Sequence, residues 1–93
     1  MRAKRKDRNH QEIIKAFEDL GWSVLDISDL NNCCDLMVAK CAHTVAIEVK
    51  DGLKPPSARK LTPGEESFRS RWLGNYKIVT CKEDVHEINN LLN

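Results

Sequence analysis

The sequence predicts a single α/β domain with the element order αβββαβα and a mixed four-stranded sheet. Three patterns predict this class: an apolar stripe at helical spacing near the N-terminus, alternating runs that form a β-hairpin, and two later capping-box motifs. A chain of 93 residues has room for one domain of modest stability. Residues 1–8 are predicted to be a basic arm, and residues 9–93 the folded domain.

The first helix is expected to run from Asn9, a favoured N-cap residue, to about Leu20, with Gly21 as its stop. His10 extends the apolar stripe, so a core or interface position is expected for it. A first strand follows from Trp22 to Ile27. The predicted buried stripe consists of Ile13, Ile14, Phe17 and Leu20.

The hairpin is predicted from two strands, Asp35–Ala39 and Thr44–Lys50, joined by the four residues between them. If Ala39 pairs with Thr44, Asp35 falls opposite Glu48. Because side chains alternate along a strand, this register collects one wholly aliphatic face. That face consists of Leu36, Val38, Val45, Ile47 and Val49.

The opposite face of the hairpin gathers three charges at one end, namely Asp35, Glu48 and Lys50. Like charges on directly opposed strand residues repel unless something compensates them. Carboxylate oxygens suit a hard cation such as Mg²⁺ or Mn²⁺, which also binds substrate phosphates. The pattern therefore indicates a phosphodiesterase site, and the alternative is a Glu48–Lys50 ion pair on a solvated strand end.

Basic residues cluster in the arm and in the loop Leu53–Leu61 that leaves the second hairpin strand. Both segments are placed to touch nucleic-acid phosphates, and the alternative is that their cations are simply solvated. The candidate phosphate contacts are Arg5, Lys6, Arg8, Lys54, Arg59 and Lys60.

Thr62, Pro63 and Glu65 form a capping box that opens a second helix, which Gly74-Asn75 is expected to end. Its predicted packing face is Phe68, Trp72 and Leu73. The strand Tyr76–Thr80 should then lie parallel to the second hairpin strand through a right-handed crossover. Thr80 and Glu83 repeat the capping pattern before a last helix. The residues expected to face inward from that helix are Val85, Ile88, Leu91 and Leu92.

Composition limits the class of protein. The chain is 41% apolar and 31% charged with a net charge of +1, values that are typical of a globular protein. It contains neither a long apolar run nor a signal-peptide pattern, so no membrane partner and an intracellular, cytoplasmic location are expected. Reduced thiols are expected for Cys33, Cys34, Cys41 and Cys81, and the alternative is a zinc site that includes His43.

Asp35, followed thirteen residues later by Glu48-Val49-Lys50, resembles the signature of the PD-(D/E)XK nuclease superfamily. From Gln11 onward the chain resembles the small stand-alone phage VRR-NUC domains, which are relatives of Holliday junction resolvases. The shared segments are 11–14, 21–24, 35–38, 47–52, 54–63 and 76–79. Cys33 and Cys34 depart from the Gly and Pro that usually precede the Asp.

The resemblance implies a restriction-endonuclease-like αβββαβ core with a C-terminal helix and a metal-dependent DNA endonuclease activity. Asp35, Glu48 and the Val49 carbonyl would hold Mg²⁺ or Mn²⁺, with Lys50 orienting water or stabilising charge on the phosphate. Glu12 corresponds to a glutamate on the first helix that completes the site in many relatives. Glu65 or Glu66 occupies a place from which family members can approach the site, although capping already explains Glu65.

The same resemblance suggests branched DNA or Holliday junctions as substrate, a homodimer, and host cytoplasm if the chain is phage-encoded. Two other classes of function stay open from the sequence. One is a noncatalytic DNA-binding module that uses the basic arm and loop. The other is an accessory subunit of a phage replication or recombination complex.

Overall fold

The computed structural model describes residues 6–92 and shows an α/β fold whose element order is the predicted one. A short 3-10 turn, Pro56–Arg59, interrupts the loop before the second helix. The helices and strands are α1 (His10–Asp19), β1 (Ser23–Asp26), β2 (Leu36–Lys40), β3 (His43–Val49), α2 (Pro63–Arg71), β4 (Asn75–Val79) and α3 (Lys82–Leu92).

The sheet has the strand order β1-β2-β3-β4, in which β1 and β2 pair antiparallel, β2 and β3 pair antiparallel, and β3 and β4 pair parallel. Ala39 pairs with Thr44, which confirms the predicted hairpin register. The turn is tighter than the predicted loop, because Lys40 also pairs with His43. The turn therefore consists of Cys41 and Ala42 alone, both at positive φ (51° and 69°), as in a type I′ turn.

The hydrophobic core lies between the aliphatic face of the hairpin and the helices α1 and α3. Ile13 and Phe17 of α1 and Val85 of α3 are fully buried in one cluster with the hairpin residues. Phe17 also meets Trp22 edge to face, with ring centroids 5.7 Å apart. The predicted aliphatic face is therefore confirmed as the floor of the core.

The helix α2 lies on the other face of the sheet. It begins as predicted, with Thr62 accepting from the Glu65 N–H and Pro63 in the first turn. Its Phe68 ring lies 6.3 Å from the ring of Tyr76, which is in register with Ala46 of β3. The second face of β3 is consequently covered, which explains why Ala46, Glu48 and Lys50 are buried.

Two residues predicted to pack inward are exposed instead. Leu73 is 99% exposed because α2 ends at Arg71, and the backbone at Trp72 then turns to an extended conformation with ψ 120°. Leu91 is 70% exposed because the buried side of α3 is formed by other residues, among them Val85 and Ile88.

The capping contacts of two helices also differ from the predicted ones. At α3 the partner of Thr80 is Asp84 rather than Glu83, since the Asp84 carboxylate accepts from both the Thr80 N–H (2.8 Å) and its hydroxyl (3.0 Å). At α1, Asn9 occupies the N-cap position but makes no side-chain capping bond within residues 6–92.

No helix in residues 6–92 combines the length and the apolar character that crossing a bilayer requires.

Candidate active site

The predicted acids and lysine line a single cavity of about 230 Å³ at the end of the hairpin where β2 begins and β3 ends. The pairing of β2 with β3 ends at Leu36 and Ile47, and the N–H of the preceding residue, Asp35, donates to the same Ile47 carbonyl instead of continuing the register to Glu48. Asp35 and Glu48 nevertheless line the same cavity. Lys50, two residues further along the same face, completes the group. The cavity is lined by Lys6, Asp7, Asp35, Glu48, Lys50, Lys54, Thr62 and Glu65.

Asp35 is fixed from both neighbouring strands. Its Oδ2 accepts a hydrogen bond from the Val49 N–H at 2.8 Å, and its own N–H donates to the Ile47 carbonyl at 3.0 Å. On the other side, the Ile27 N–H donates to the Asp35 carbonyl at 2.9 Å. The carboxylate is therefore held against the strand segment that connects Glu48 to Lys50.

Each polar group of Lys50 has a partner on a different element. The Nζ contacts Glu65 Oε1 of α2 at 2.8 Å, and the N–H donates to the Val79 carbonyl of β4 at 2.9 Å. The carbonyl accepts from Asn9 Nδ2 at 3.2 Å. Both ends of the Lys50–Glu65 pair are at least 90% buried, so the amine occupies one defined position in the cavity.

The Lys50–Glu65 pair is charged on both sides. Burial by itself lowers the pKa of Lys50, but the hydrogen bond to Glu65 and the charges of Glu65 and Glu48 outweigh it and raise the pKa. Burial likewise raises the pKa of Glu65, while its hydrogen bonds with Lys50 and the Thr62 N–H reverse the effect and lower it. Lys50 is consequently an ammonium ion at neutral pH.

The charge of Glu48 reaches several side chains around the cavity. Burial raises the pKa of the Cys34 thiol to about 12, and the Glu48 carboxylate adds to that shift. Burial also raises the pKa of Tyr76, again with a contribution from Glu48. A negative potential at this point favours the binding of a cation.

Glu65 has both of the roles that the sequence left as alternatives. Its Oε1 accepts from the Thr62 N–H at 2.8 Å, which closes the capping box, and the same oxygen accepts from Lys50 Nζ. Local pattern explained the first contact and gave no reason to add the second. In the structure Glu65 is the buried residue of α2, a property that the sequence pattern of this helix does not reveal.

Two of the predicted phosphate-contacting lysines line the cavity, and each lies near an acid. Lys54 Nζ is 3.6 Å from Asp7, and Lys6 Nζ is 3.7 Å from Asp26. Asp7 itself lines the cavity. It was missed because one acid in a basic run carries no pattern of its own.

The remaining predicted residues lie outside the cavity. Arg8 contacts Asp51 through two hydrogen bonds of 3.1 and 3.2 Å, and it lines a second cavity of about 280 Å³ together with Glu12. Glu12 is exposed there, so the structure does not bring it to Asp35 and Glu48. Arg59 is half-buried and Lys60 is exposed, while Arg5 lies outside the described residues.

The metal chemistry of the site can be judged from its donors. Among residues 6–92 no three or more His, Cys, Asp and Glu side chains form a group that could hold an ion, and the four cysteines are free thiols. The zinc alternative is therefore contradicted. Mg²⁺ usually takes only one or two protein carboxylates and keeps several waters. Asp35 and Glu48 supply two carboxylates at this cavity, the donor type that Mg²⁺ and Mn²⁺ prefer.

Comparisons with protein-family models, curated proteins and solved structures gave no match for this chain. Its function is therefore inferred from the side chains of the cavity.

Proposed function

We propose that this protein is a divalent-metal-dependent DNA endonuclease of the PD-(D/E)XK type, with a restriction-endonuclease-like core similar to VRR-NUC domains. One observation carries the proposal: Asp35, Glu48 and Lys50 line the same cavity, with Asp35 bonded to the N–H of the intervening Val49. The antiparallel hairpin followed by a parallel β4 is compatible with that core.

Three groups would hold the ion: the carboxylates of Asp35 and Glu48 and the carbonyl of Val49. The N–H and C=O of one strand residue point toward the same neighbouring strand. Since the Val49 N–H meets Asp35, its carbonyl is turned to that side as well. When bound, Mg²⁺ or Mn²⁺ supplies a water of lowered pKa and polarises a phosphoryl oxygen.

Lys50 acts in this proposal as a fixed positive charge. Its raised pKa keeps the amine protonated, so it donates a hydrogen bond and does not accept a proton. A fixed ammonium beside a phosphodiester stabilises the negative charge that accumulates on the phosphoryl oxygens during attack. Glu65 holds the amine in place through the 2.8 Å contact.

The DNA strand would pass the rim of the cavity. Lys6 and Lys54 lie on that rim, and Lys60 is exposed on the loop that follows. The lysines of the rim would exchange their acidic partners, Asp26 and Asp7, for phosphates. Arg5, Arg8 and Arg59 stay predicted DNA contacts, while selectivity for branched DNA and a homodimer rest on the resemblance alone.

Cleavage of supercoiled plasmid and of a four-way DNA junction tests the activity. With Mg²⁺ or Mn²⁺ we expect nicked and linear products, and a chelator should stop their formation. Asp35→Asn should lower the rate at least about 100-fold, because it removes an anionic ligand of the ion. The matched control is Asp29→Asn, an exposed acid of the β1–β2 loop, which should leave the rate unchanged.

Cleavage that survives both Asp35→Asn and Lys50→Ala would end the assignment. DNA binding without metal-dependent turnover would instead support the noncatalytic module.

A further inference from the structure

Asn9 stands where an N-cap residue stands, yet its side chain does not cap α1. An N-cap residue typically has an extended backbone, and its side-chain oxygen accepts from the first turn. Asn9 has φ −91° and ψ 10°, and its Oδ1 has no hydrogen-bond partner among the described residues. Asn9 as a whole is only 3% exposed. Its polar side chain is therefore buried without capping the helix.

The amide of Asn9 instead joins the ends of two strands. Its Nδ2 donates to the Lys50 carbonyl at 3.2 Å and to the Thr80 carbonyl at 2.9 Å. These residues directly follow β3 and β4. Both hydrogens of the amide are thus used, and swapping its oxygen and nitrogen would place an acceptor against two carbonyls.

Docking of α1 does not depend on these two bonds. Ile13 and Phe17 are fully buried in the core, and Arg8 is bonded twice to Asp51 just after the strand. One Asn9 bond holds the Lys50 carbonyl and the other holds the Thr80 carbonyl. The Lys50 N–H and Nζ are held by Val79 and Glu65, so the Asn9 bond is the contact that sets the remaining backbone group of Lys50.

We propose that Asn9 is a positioning residue of the active site, whose amide sets the Lys50 backbone and through it the place of the lysine amine. This inference rests on the proposed nuclease function. Without the Asn9 bonds the peptide that follows Lys50 can rotate, and the lysine amine shifts with it. A misplacement of this kind lowers turnover more than it lowers substrate binding.

The test compares Asn9→Ala and Asn9→Asp with the control Gln11→Ala, an exposed residue of the same helix. Asn9→Asp keeps the side-chain size and removes both donors. At a temperature well below every melting point, we expect both Asn9 variants to lower kcat about tenfold or more. The KM for DNA should stay within about twofold, and Gln11→Ala should match the wild type.

Two further measurements separate positioning from mere stability. In a Lys50→Ala background, Asn9→Ala should cause no additional loss of kcat if Asn9 acts through Lys50. By NMR, the side-chain ammonium resonance of Lys50 should shift in Asn9→Ala and stay in place in Gln11→Ala. If the wild type does not cleave DNA, the proposed nuclease function fails, while the NMR comparison still tests the action of Asn9 on Lys50.

Three results would overturn the inference. The first is a lowered melting temperature with kcat and the Lys50 resonance unchanged, which would make Asn9 a structural tie only. The second is a full additional loss of kcat in the Lys50→Ala background. The third applies if the wild type does not cleave DNA: it is a Lys50 resonance that has the same position in Asn9→Ala as in the wild type. If Asn9→Ala and Asn9→Asp fail to fold, Asn9→Ser keeps one donor and is judged by the same criteria.

Discussion

Buried charge is concentrated at one place in this small protein. An unpaired charge is expensive to bury, so buried ionisable groups occur where partners hold them or where function requires them. Lys50 and Glu65 are buried charges that are held by partners, because they form an ion pair with each other. Within residues 6–92 the buried charged residues are Asp35, Glu48, Lys50, Asp51 and Glu65. Four of the five line the proposed active site, which supports a functional reason for their burial.

Glu65 offers a test of how this buried pair contributes to stability. Glu65→Gln keeps an oxygen that can accept from the Thr62 N–H but removes the carboxylate charge that is hydrogen-bonded to the Lys50 ammonium. We expect the free energy of unfolding to fall by about 2 kcal/mol, measured in urea, together with a loss of cleavage rate. The neighbouring exposed Glu66, which contacts Arg69 at 3.0 Å, provides the control. Glu66→Gln should change stability by less than about 0.5 kcal/mol; equal losses in both variants would contradict the role given to Glu65.

The hairpin is the element that creates the site, and its turn contains local strain. Cys41 and Ala42 both have φ in the left-handed region, which favours glycine or asparagine over residues with an ordinary side chain. The sequence thus accepts an unfavourable turn while keeping the hairpin register that runs from Lys40–His43 to Leu36–Ile47. The turn lies at the far end of β2 from the cavity, so it can be changed without touching the acids.

Ala42→Gly should stabilise the protein by about 0.5–1 kcal/mol, because glycine adopts φ 69° without a steric penalty. Thermal unfolding measures the change, and DNA cleavage should be unaffected. The matched control is Ala39→Gly within β2, where added backbone freedom should destabilise by a similar amount. A stabilisation by both changes, or by neither, would contradict the account of the turn.

The sequence correctly predicted the features that are determined by residues close to each other in the chain. The hairpin register follows from alternation and a short connection, and the start of α2 follows from Thr62, Pro63 and Glu65, so both were correct. Leu73 was misplaced because α2 ends at Arg71, before the predicted stop at Gly74-Asn75. The Trp72 indole then donates to the Asn75 carbonyl at 2.7 Å, a contact that helical periodicity cannot show.

Within the site, the acids were predictable and their supports were not. Asp35 and Glu48 lie on one contiguous hairpin whose pairing can be counted from the sequence. Asn9 contacts Lys50 across 41 positions of the chain. Glu65 contacts Lys50 across 15 positions. Contacts over such separations depend on how α1 and α2 dock, which no local pattern encodes.

For the whole molecule, the distribution of charge matters more than its net value of +1. Lys6, Lys54 and Arg8 lie close to Asp26, Asp7 and Asp51, respectively. The described part of one copy, residues 6–92, therefore offers few uncompensated cations near the cavity, and their contribution to counterion release on DNA binding is correspondingly limited. A second copy would double the number of phosphate contacts and supply a second cutting site.

The homodimer stays a prediction, and sedimentation equilibrium at micromolar concentration tests it. A dimer would give a mass of about 21 kDa, twice the 10.6 kDa of one chain. Adding a four-way DNA junction should leave that stoichiometry at two copies per complex. Only the single-chain mass under both conditions would contradict paired cutting, and the chemistry within one cavity would be unaffected.

The hydrogen bonds between Lys50 and residues of distant elements have a consequence for how such a protein can evolve. The position of the two acids depends on neighbouring strands of the sheet, whereas the position of the amine also depends on α1 and α2. Substitutions far from the hairpin can therefore retune the lysine step by step while the pair of carboxylates stays intact. Divergent descendants of this chain could keep a recognisable acidic signature and still differ widely in turnover.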